Sequence, residues 1–326
     1  MKKHKIGQTG LEVTEICFGT SSLGDMPETY GYVCDEARAI ETVAAILDGH
    51  DVNFIDSSRV YGDGRSEERI GAAIRARGGL PQDFVLATKL DRDTRTGRFD
   101  AAQARQSLEE SLTALGLDKV QILHLHDPEY CRDLDEVTRS GGALDELFKI
   151  KEEGLTDAVG LAMGRIDLMF PLLKSYPFDV LINHNRLTLL NQTAADMYDF
   201  AHESGIAVFN AAPYAGGVFA KGSNAMPLIT YQTADDGALE PVRKIESLCA
   251  KYGVSPAALA LQFSMRDRRV TSTIVGISKP SRIDQTIHYA TEAVPQTLWD
   301  EIKALPVSTV DPEAERDLKP YAEWSP

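Results

Sequence analysis

The stretch VNFIDSSRVYGDGRSEERIGAAIRARGGLPQDFVLATKL, residues 52–90, holds one full repeat of an alternating architecture. It opens with a β-rich run, VNFIDSS (52–58), crosses a helical segment and closes with a second run, FVLATKL (84–90). Outward from it stand EICFGTSS (15–22), VQILHLHD (120–127), TDAVGLAM (156–163), FDVLINHN (178–185), IAVFNAAP (206–213) and TSTIVGIS (271–278), making eight runs. The segments between them carry helical spacing. Leu108, Leu112 and Leu115 stand at i, i+4 and i+7, and Ile245, Leu248, Cys249 and Tyr252 at i, i+3, i+4 and i+7. Strands alternating with helices pair in parallel, and eight such units in about 260 residues close a sheet into a (β/α)8 TIM barrel.

No linker, charge block or low-complexity tract divides the chain, so residues 1–326 are read as a single barrel domain. The ends depart from the repeat. KIGQTGLEV (5–13) reads as an N-terminal β-hairpin around Thr9-Gly10 that covers the barrel floor. Residues 214–239 lack helical period, and a connection that long is usually functional or mobile. PQTLWDEIKAL (295–305) suggests a C-terminal extra helix, and the last twenty residues a tail packed loosely over the surface.

Composition narrows the function classes. Lys and Arg number 34 against 49 Asp and Glu, a net charge of −15, which repels phosphate backbones and anionic lipid, so neither nucleic acid nor membrane is an expected partner. The four cysteines form no C-x-x-C pair, which suits a reduced, cytoplasmic chain. The N-terminus lacks the apolar core of a signal peptide, and no stretch reaches the ~18 apolar residues of a spanning helix.

In such a barrel the active site lies at the C-terminal ends of the strands. There the second run carries Asp56, the third Lys89 and the fourth His126. Alternation puts Val52, Phe54 and Asp56 on one face, Val85, Ala87 and Lys89 on another, and Ile122, His124 and His126 on a third. Tyr61 follows in the loop, before Gly62, which lets the chain turn back. Singly each has an ordinary reading: a loop cap, a solvated lysine, a core histidine, a packed aromatic. Together they have chemical logic. A phenol near pKa 10 is a poor proton carrier at neutral pH, and a neighbouring ammonium favours its ionised form. Lys89 would lower the Tyr61 pKa, Asp56 would hold Lys89, and His126 would orient a substrate oxygen.

The runs FIDSSRVYG (54–62) and SEERIG (66–71), ATK (87–89) and LHDP (125–128), with the opening KIGQTGLEVTEICFGT (5–20) and GISKPSRID (276–284), resemble the aldo-keto reductases in order and over nearly the whole chain. The resemblance implies a barrel that binds NAD or NADP without a Rossmann domain and a catalytic tetrad of Asp56, Tyr61, Lys89 and His126. No G-x-G-x-x-G opens a helix after a strand, which agrees. The dinucleotide would lie across the fifth to eighth strands, against His184 (or Asn183, with the register slipped by one), Ala212, Gly217, Gly276, Arg282 and Gln285. Here the chain departs from the family's pattern. Ala162-Met163-Gly164 replaces Ser-Asn, Ala211 stands where a Tyr stacks on nicotinamide, Gly276 replaces a Lys, and Gln285-Thr286 replace Glu-Asn. Gly217 and its neighbours would offer N–H groups to the pyrophosphate, and Arg282 would meet an adenosine 2′-phosphate. With one cation lost, either cofactor is expected to serve.

These departures, and H-D-P-E in place of H-W-P, resemble the branch that includes D-threo-aldose (L-fucose) 1-dehydrogenases and pyridoxal 4-dehydrogenase. Asp127 suits a polyhydroxylated or hemiacetal substrate, or else caps the turn at Pro128. Met26, Tyr30 and Tyr32 would wall the substrate pocket. Cys34 and Cys131 lie near the rim without a basic neighbour to activate them.

Two alternatives stand beside an NAD(P)-dependent oxidoreductase acting on a small carbonyl or sugar. His124-Leu125-His126 is an H-x-H pair that a metal-dependent barrel hydrolase could use, but zinc needs further ligands and His4, His50, His202 and His288 fall in the tail or helical segments, so no metal is expected. His124 is then a core histidine bonded to a neighbouring strand. The second alternative is a non-catalytic, redox-sensing auxiliary subunit, which would keep the cofactor site and lose the tetrad.

Overall fold

The structure, a computed structural model, describes residues 1–49 and 51–313. Two short strands, β1 (Lys3–Lys5) and β2 (Glu12–Thr14), precede β3 (Ile16–Gly19), β4 (Phe54–Asp56), β5 (Val85–Leu90), β6 (Val120–His126), β7 (Thr156–Ala162), β8 (Val180–His184) and β9 (Ala207–Ala211). The two-residue strands β10 (Leu228–Ile229) and β11 (Gln232–Thr233) separate these from β12 (Val270–Gly276). Strands β3 to β9 and β12 form a closed barrel, β12 pairing in parallel with both β3 and β9. Each of the eight β-rich runs of the sequence supplies one strand of the ring.

Strand alternation sorts the core into two layers. Phe54, Ala87, Ile122, Ala158, Val180 and Phe209 fill the barrel, with the Phe54 and Phe209 rings 5.0 Å apart edge to face. Ile55, Leu86, Leu123, Val159, Leu181 and Val208 face the helical ring. Burying such an aliphatic side chain stabilises by roughly 1.5–3 kcal/mol, so the layer between sheet and helices dominates stability. The N-terminal hairpin, in which Lys3 faces Thr14 and Lys5 faces Glu12, packs Ile6 and Val13 into the floor of the inner layer.

The helices begin where short polar side chains can cap them. Asp35, Asp100 and Asp235 each accept the backbone N–H three residues on, at 2.9, 2.9 and 2.8 Å, contacts worth about 1 kcal/mol apiece. The extra helix is present as Gln296–Lys303. Two expectations need correction. Residues 214–239 hold a 3-10 turn (Ala215–Gly217), a short helix (Val218–Lys221), the β10–β11 ribbon and the start of helix Asp236–Tyr252, because the Gly and Asn positions that break helical period supply turns. Nor is the tail loose over 307–313. The buried Arg186 binds Asp311 with two nitrogens, at 3.0 and 2.8 Å, and Glu313 at 2.7 Å, and Asn191 donates to the Val310 carbonyl at 2.8 Å. The remainder of the expected tail, and His50, lie outside the described residues.

Register places the site. Asp56 pairs with Ala87 and Lys89 with His124, so Lys89 and His126 each stand two residues beyond their neighbour's partner. The tilt of barrel strands turns that stagger into one level at the mouth.

Candidate active site

Phe54 and Ala87 point into the barrel, so Asp56 and Lys89, two residues on, point the same way at its mouth. Both are buried. Lys89 Nζ donates to Asp56 Oδ1 and Oδ2 at 2.9 and 2.8 Å, to the Ser57 carbonyl, and to the Tyr61 hydroxyl at 3.2 Å. An ammonium can fill its donor capacity this way only in a site built for it. Burial pushes the Asp56 carboxyl up, and the Lys89 charge works against that rise.

Tyr61 is carried by a turn in which its N–H donates to the Ser58 carbonyl at 3.2 Å. Gly62 has φ 63°, and a Cβ there would lie 1.9 Å from the Gly24 carbonyl oxygen. A Cβ on Gly24 would reach within 2.7 Å of the Tyr61 carbonyl oxygen, so the loop after β3 and the Tyr61 loop touch backbone to backbone. Gly24 has no side chain that would mark it in the sequence. The expected lowering of the Tyr61 pKa is not found. Burial, and then the Asp56 carboxylate, push the phenol well above its ordinary value. Tyr61 therefore stands as a neutral hydroxyl, a proton donor.

His126 is held by a residue that the sequence reading did not single out. Its Nδ1 lies 2.6 Å from Oδ1 of the buried Asp91, whose Oδ2 accepts from Ser58 Oγ at 2.7 Å. The Tyr61 and His126 rings meet edge-on, with centroids 6.0 Å apart. Burial disfavours the imidazolium, but Asp127 and Asp91 outweigh it and raise the His126 pKa. Burial likewise disfavours the Asp91 carboxylate, yet His126 outweighs it and the carboxyl lies below its usual range. One signal was available: Asp91 has the strand parity of Lys89, at i+2. His124 behaves otherwise. It is fully buried over Gly160 and beside Phe209, and neither ring nitrogen has a hydrogen-bond partner, so it is not bonded to a neighbouring strand as expected. Burial, then Lys89 and His126, hold it neutral.

The residues expected at a dinucleotide divide. His184 ends β8 facing the mouth, half-buried, while Asn183 has the opposite parity and donates to the Met163 and Gly164 carbonyls at 2.8 and 3.0 Å. Asn183 is thus removed from the mouth. Gly217 does not offer its N–H outward as expected, because that amide donates to the Tyr214 carbonyl at 2.9 Å. Ala212 sits with φ 57° at the turn after β9. Gly276 is exposed at the end of β12, and a Cβ there would meet nothing within 4 Å. Arg282 Nη1 donates to Gln285 Oε1, and Gln285 Nε2 to the Tyr289 hydroxyl at 2.7 Å, which lines three polar side chains along one helix face.

The aldo/keto reductase family profile matches residues 15–306. The chain belongs to the aldo/keto reductase family. It is 28% identical to L-galactose dehydrogenase of Arabidopsis thaliana over 92% of each chain, and 28% identical to D-threo-aldose 1-dehydrogenase of a Pseudomonas species over 90% of this chain and 94% of that one. Pyridoxal 4-dehydrogenase of Microbacterium luteolum matches at 24% over 93% and 97%. An Arabidopsis thaliana protein described as a probable voltage-gated potassium channel subunit beta matches at 26% over 90% and 92%. The holo form of an aldo-keto reductase from Bacillus halodurans shares the fold, with TM-score 0.77, 20% identity and coverage of 97% and 99%.

As an aldo/keto reductase, the chain is an oxidoreductase, and its mouth carries more carboxylate than the tetrad accounts for. Asp127, at φ 46°, donates its N–H to the Ala162 carbonyl at 2.8 Å and makes no side-chain cap, so its role as a turn cap is confined to the backbone. Its Oδ2 stands 3.6 Å from His126 Nε2. Glu129 accepts the Gly164 N–H at 2.8 Å, and burial pushes its carboxyl up to about 7. Tyr30 and Tyr32 rings lie 6.0 Å apart, the Tyr30 hydroxyl 2.5 Å from Ser21 Oγ, with Lys221 over Tyr32 at 5.3 Å. The loops after β3 and β9 therefore meet as a wall. Cys34 is buried and Cys131 half-buried, the latter's thiol pushed up to about 11 by burial. Among the described residues no cluster of three or more His, Cys, Asp or Glu is placed to hold a metal ion, and no helix is long and apolar enough to cross a membrane.

Proposed function

We propose that residues 1–326 act as one barrel domain in the cytoplasm, a dehydrogenase that moves hydride between NAD or NADP and the carbonyl or hemiacetal carbon of an aldose or a related small aldehyde. The observation that carries this reading is the Tyr61 hydroxyl, held by Lys89 at 3.2 Å and set edge-on to His126, with the Asp127 carboxylate beside it. Likeness to the aldose and galactose dehydrogenases supports the substrate class.

The side chains at the mouth are compatible in chemistry with a nicotinamide dinucleotide. Strands β9 and β12 end in Ala211 and Gly276, which leave room for a flat ring, and Arg282, Gln285 and Tyr289 form a polar face for the distal end. The bound cofactor supplies hydride transfer. Tyr61 gives its proton to the substrate oxygen in reduction and recovers it in oxidation. Lys89 and Asp56 keep the phenol in place, His126 Nε2 orients the same oxygen, and Asp127 accepts hydrogen bonds from neighbouring hydroxyls. Neutral Tyr61 makes the reduction step favourable at neutral pH, and oxidation should quicken as pH rises.

Purified protein assayed for change in absorbance at the nicotinamide band, with each cofactor against aldoses, pyridoxal and simple aldehydes, tests the proposal. Turnover greatest with an aldose supports it, and absence of turnover with every member would contradict it. In the second case the auxiliary-subunit reading, favoured by likeness to the potassium channel subunit, requires that dinucleotide still bind. Activity lost on chelation and restored by zinc would favour the His124/His126 hydrolase instead.

A further inference from the structure

Asp91 is buried just past the end of β5, and polar groups hold it from several sides. Oδ1 accepts from His126 Nδ1 at 2.6 Å, and Oδ2 accepts from Ser58 Oγ at 2.7 Å and from the Val60 N–H at 3.3 Å. Its backbone N–H donates to Ser107 Oγ at 2.9 Å, and its carbonyl accepts from Gln103 Nε2 at 3.2 Å. A carboxylate fixed in this way can only accept from the ring, so Nδ1 must carry a proton. The ring nitrogen left for the barrel mouth is Nε2, which accepts when the imidazole is neutral and donates when it is charged.

We propose that Asp91 is a positioning residue: it fixes the ring proton of His126 on Nδ1, and thereby presents Nε2 to the substrate oxygen, accepting from an alcohol hydroxyl when the ring is neutral and donating to a carbonyl oxygen when it is charged. For the substrate oxygen this rests on the dehydrogenase reading above. The tautomer and orientation do not. A residue that merely filled space would be indifferent to which oxygen or nitrogen it showed the ring. Asp91 differs because its second oxygen is held by Ser58, on the loop that carries Tyr61, so one carboxylate links the two groups that face each other across the mouth.

The charged and titratable groups around His126 are Asp91 and Lys89 from β5 and its loop, Asp56 and Tyr61 from β4 and its loop, and Asp127 and His124 from its own strand. Asp91 and Asp127 favour the imidazolium and Lys89 opposes it. Removing the Asp91 charge therefore moves the His126 midpoint down. Asp91→Asn also offers Nδ1 an amide N–H, which permits the opposite tautomer, with the proton on Nε2.

The experiment is a pH titration of the ¹⁵N-histidine-labelled protein by NMR without substrate or cofactor, the His126 signal being identified by its loss in His126→Gln. The expected parent signal is a neutral ring protonated on Nδ1. Asp91→Asn should lower the midpoint and populate the Nε2 tautomer. In turnover it should lower kcat by ~10- to 100-fold with KM and dinucleotide affinity within about twofold. An unchanged tautomer and midpoint in Asp91→Asn would overturn the proposal whatever the activity. If the NMR result is as expected and no substrate turns over, the dehydrogenase reading fails and the positioning role stands. Should Asp91→Asn not fold, Ser58→Ala takes its place. A changed tautomer ratio or midpoint of His126 supports the linkage, and an unmoved His126 contradicts it.

Discussion

Along β4, β5 and β6 the barrel mouth ends in Asp56, Lys89 and His126, each buried and each held by a partner within 2.9 Å. Along β7, β9 and β12 it ends in Ala162, Ala211 and Gly276. The two halves solve different problems. A group that moves or supports a proton must keep its charge and direction inside a low-dielectric interior, which takes a second layer of polar partners such as Ser58, Asp91 and Ser107. On the reading proposed above, the other half receives a flat cofactor, and the small side chains that end these three strands leave it room.

The most severe way to break the first half is to remove one charge from its buried pair. Lys89→Met leaves Asp56 buried without its cation, and breaking such a pair typically destabilises by ~3–5 kcal/mol. Urea unfolding of parent and variant measures it. A loss below about 1 kcal/mol would mean that Asp56 is already protonated in the folded parent.

Glu67 tests the same half by pH. It lies buried at the start of helix Arg65–Arg77, bonded to Thr88 Oγ1 at 2.5 Å, with its other oxygen 3.9 Å from Arg59. Burial pushes it up to about 7 from 4.5, so the folded state holds an extra proton between those values. The stability this proton confers is complete below about 4.5 and is lost as pH rises through 7. Over that window the parent should lose on the order of 3 kcal/mol through Glu67. Glu67→Gln should remove about half of the total slope, because Glu129 titrates over the same range with a similar shift. Denaturant midpoints at pH 5 and 8 that fall equally in parent and variant would contradict it.

What the sequence could tell follows the same division. Asp56, Lys89 and His126 are legible because strand period alone puts them at the ends of inward faces, and Tyr61 because it sits between an acid and a turn glycine in a recognisable run. The barrel, hairpin and extra helix rest on local periodicity and were equally open to reading. Asp91 was missed since its value depends on His126 from another strand. Arg186 was missed since its carboxylate partners lie more than 120 residues away. The choice between His184 and Asn183 needed one residue of register, which alternation leaves open until the strand's ends are fixed.

In the second half the smallest effect is expected, and it sharpens the comparison. Arg282 offers one guanidinium to an adenosine phosphate and Gly276 removes the second cation, so Arg282→Ala should weaken NADP ~5- to 30-fold and NAD less. Fluorescence titration with each dinucleotide reads this directly. Equal losses for both would move the discrimination elsewhere.

The central claim is that one half of the mouth handles the proton while the other holds the dinucleotide. Tyr61→Phe tests it most directly, with turnover and dinucleotide affinity measured on the same preparation. The account predicts that turnover falls by ~10²–10⁴-fold while the Kd for NAD and NADP stays within about threefold. Turnover within about threefold of the parent, or dinucleotide binding lost together with activity, would contradict it.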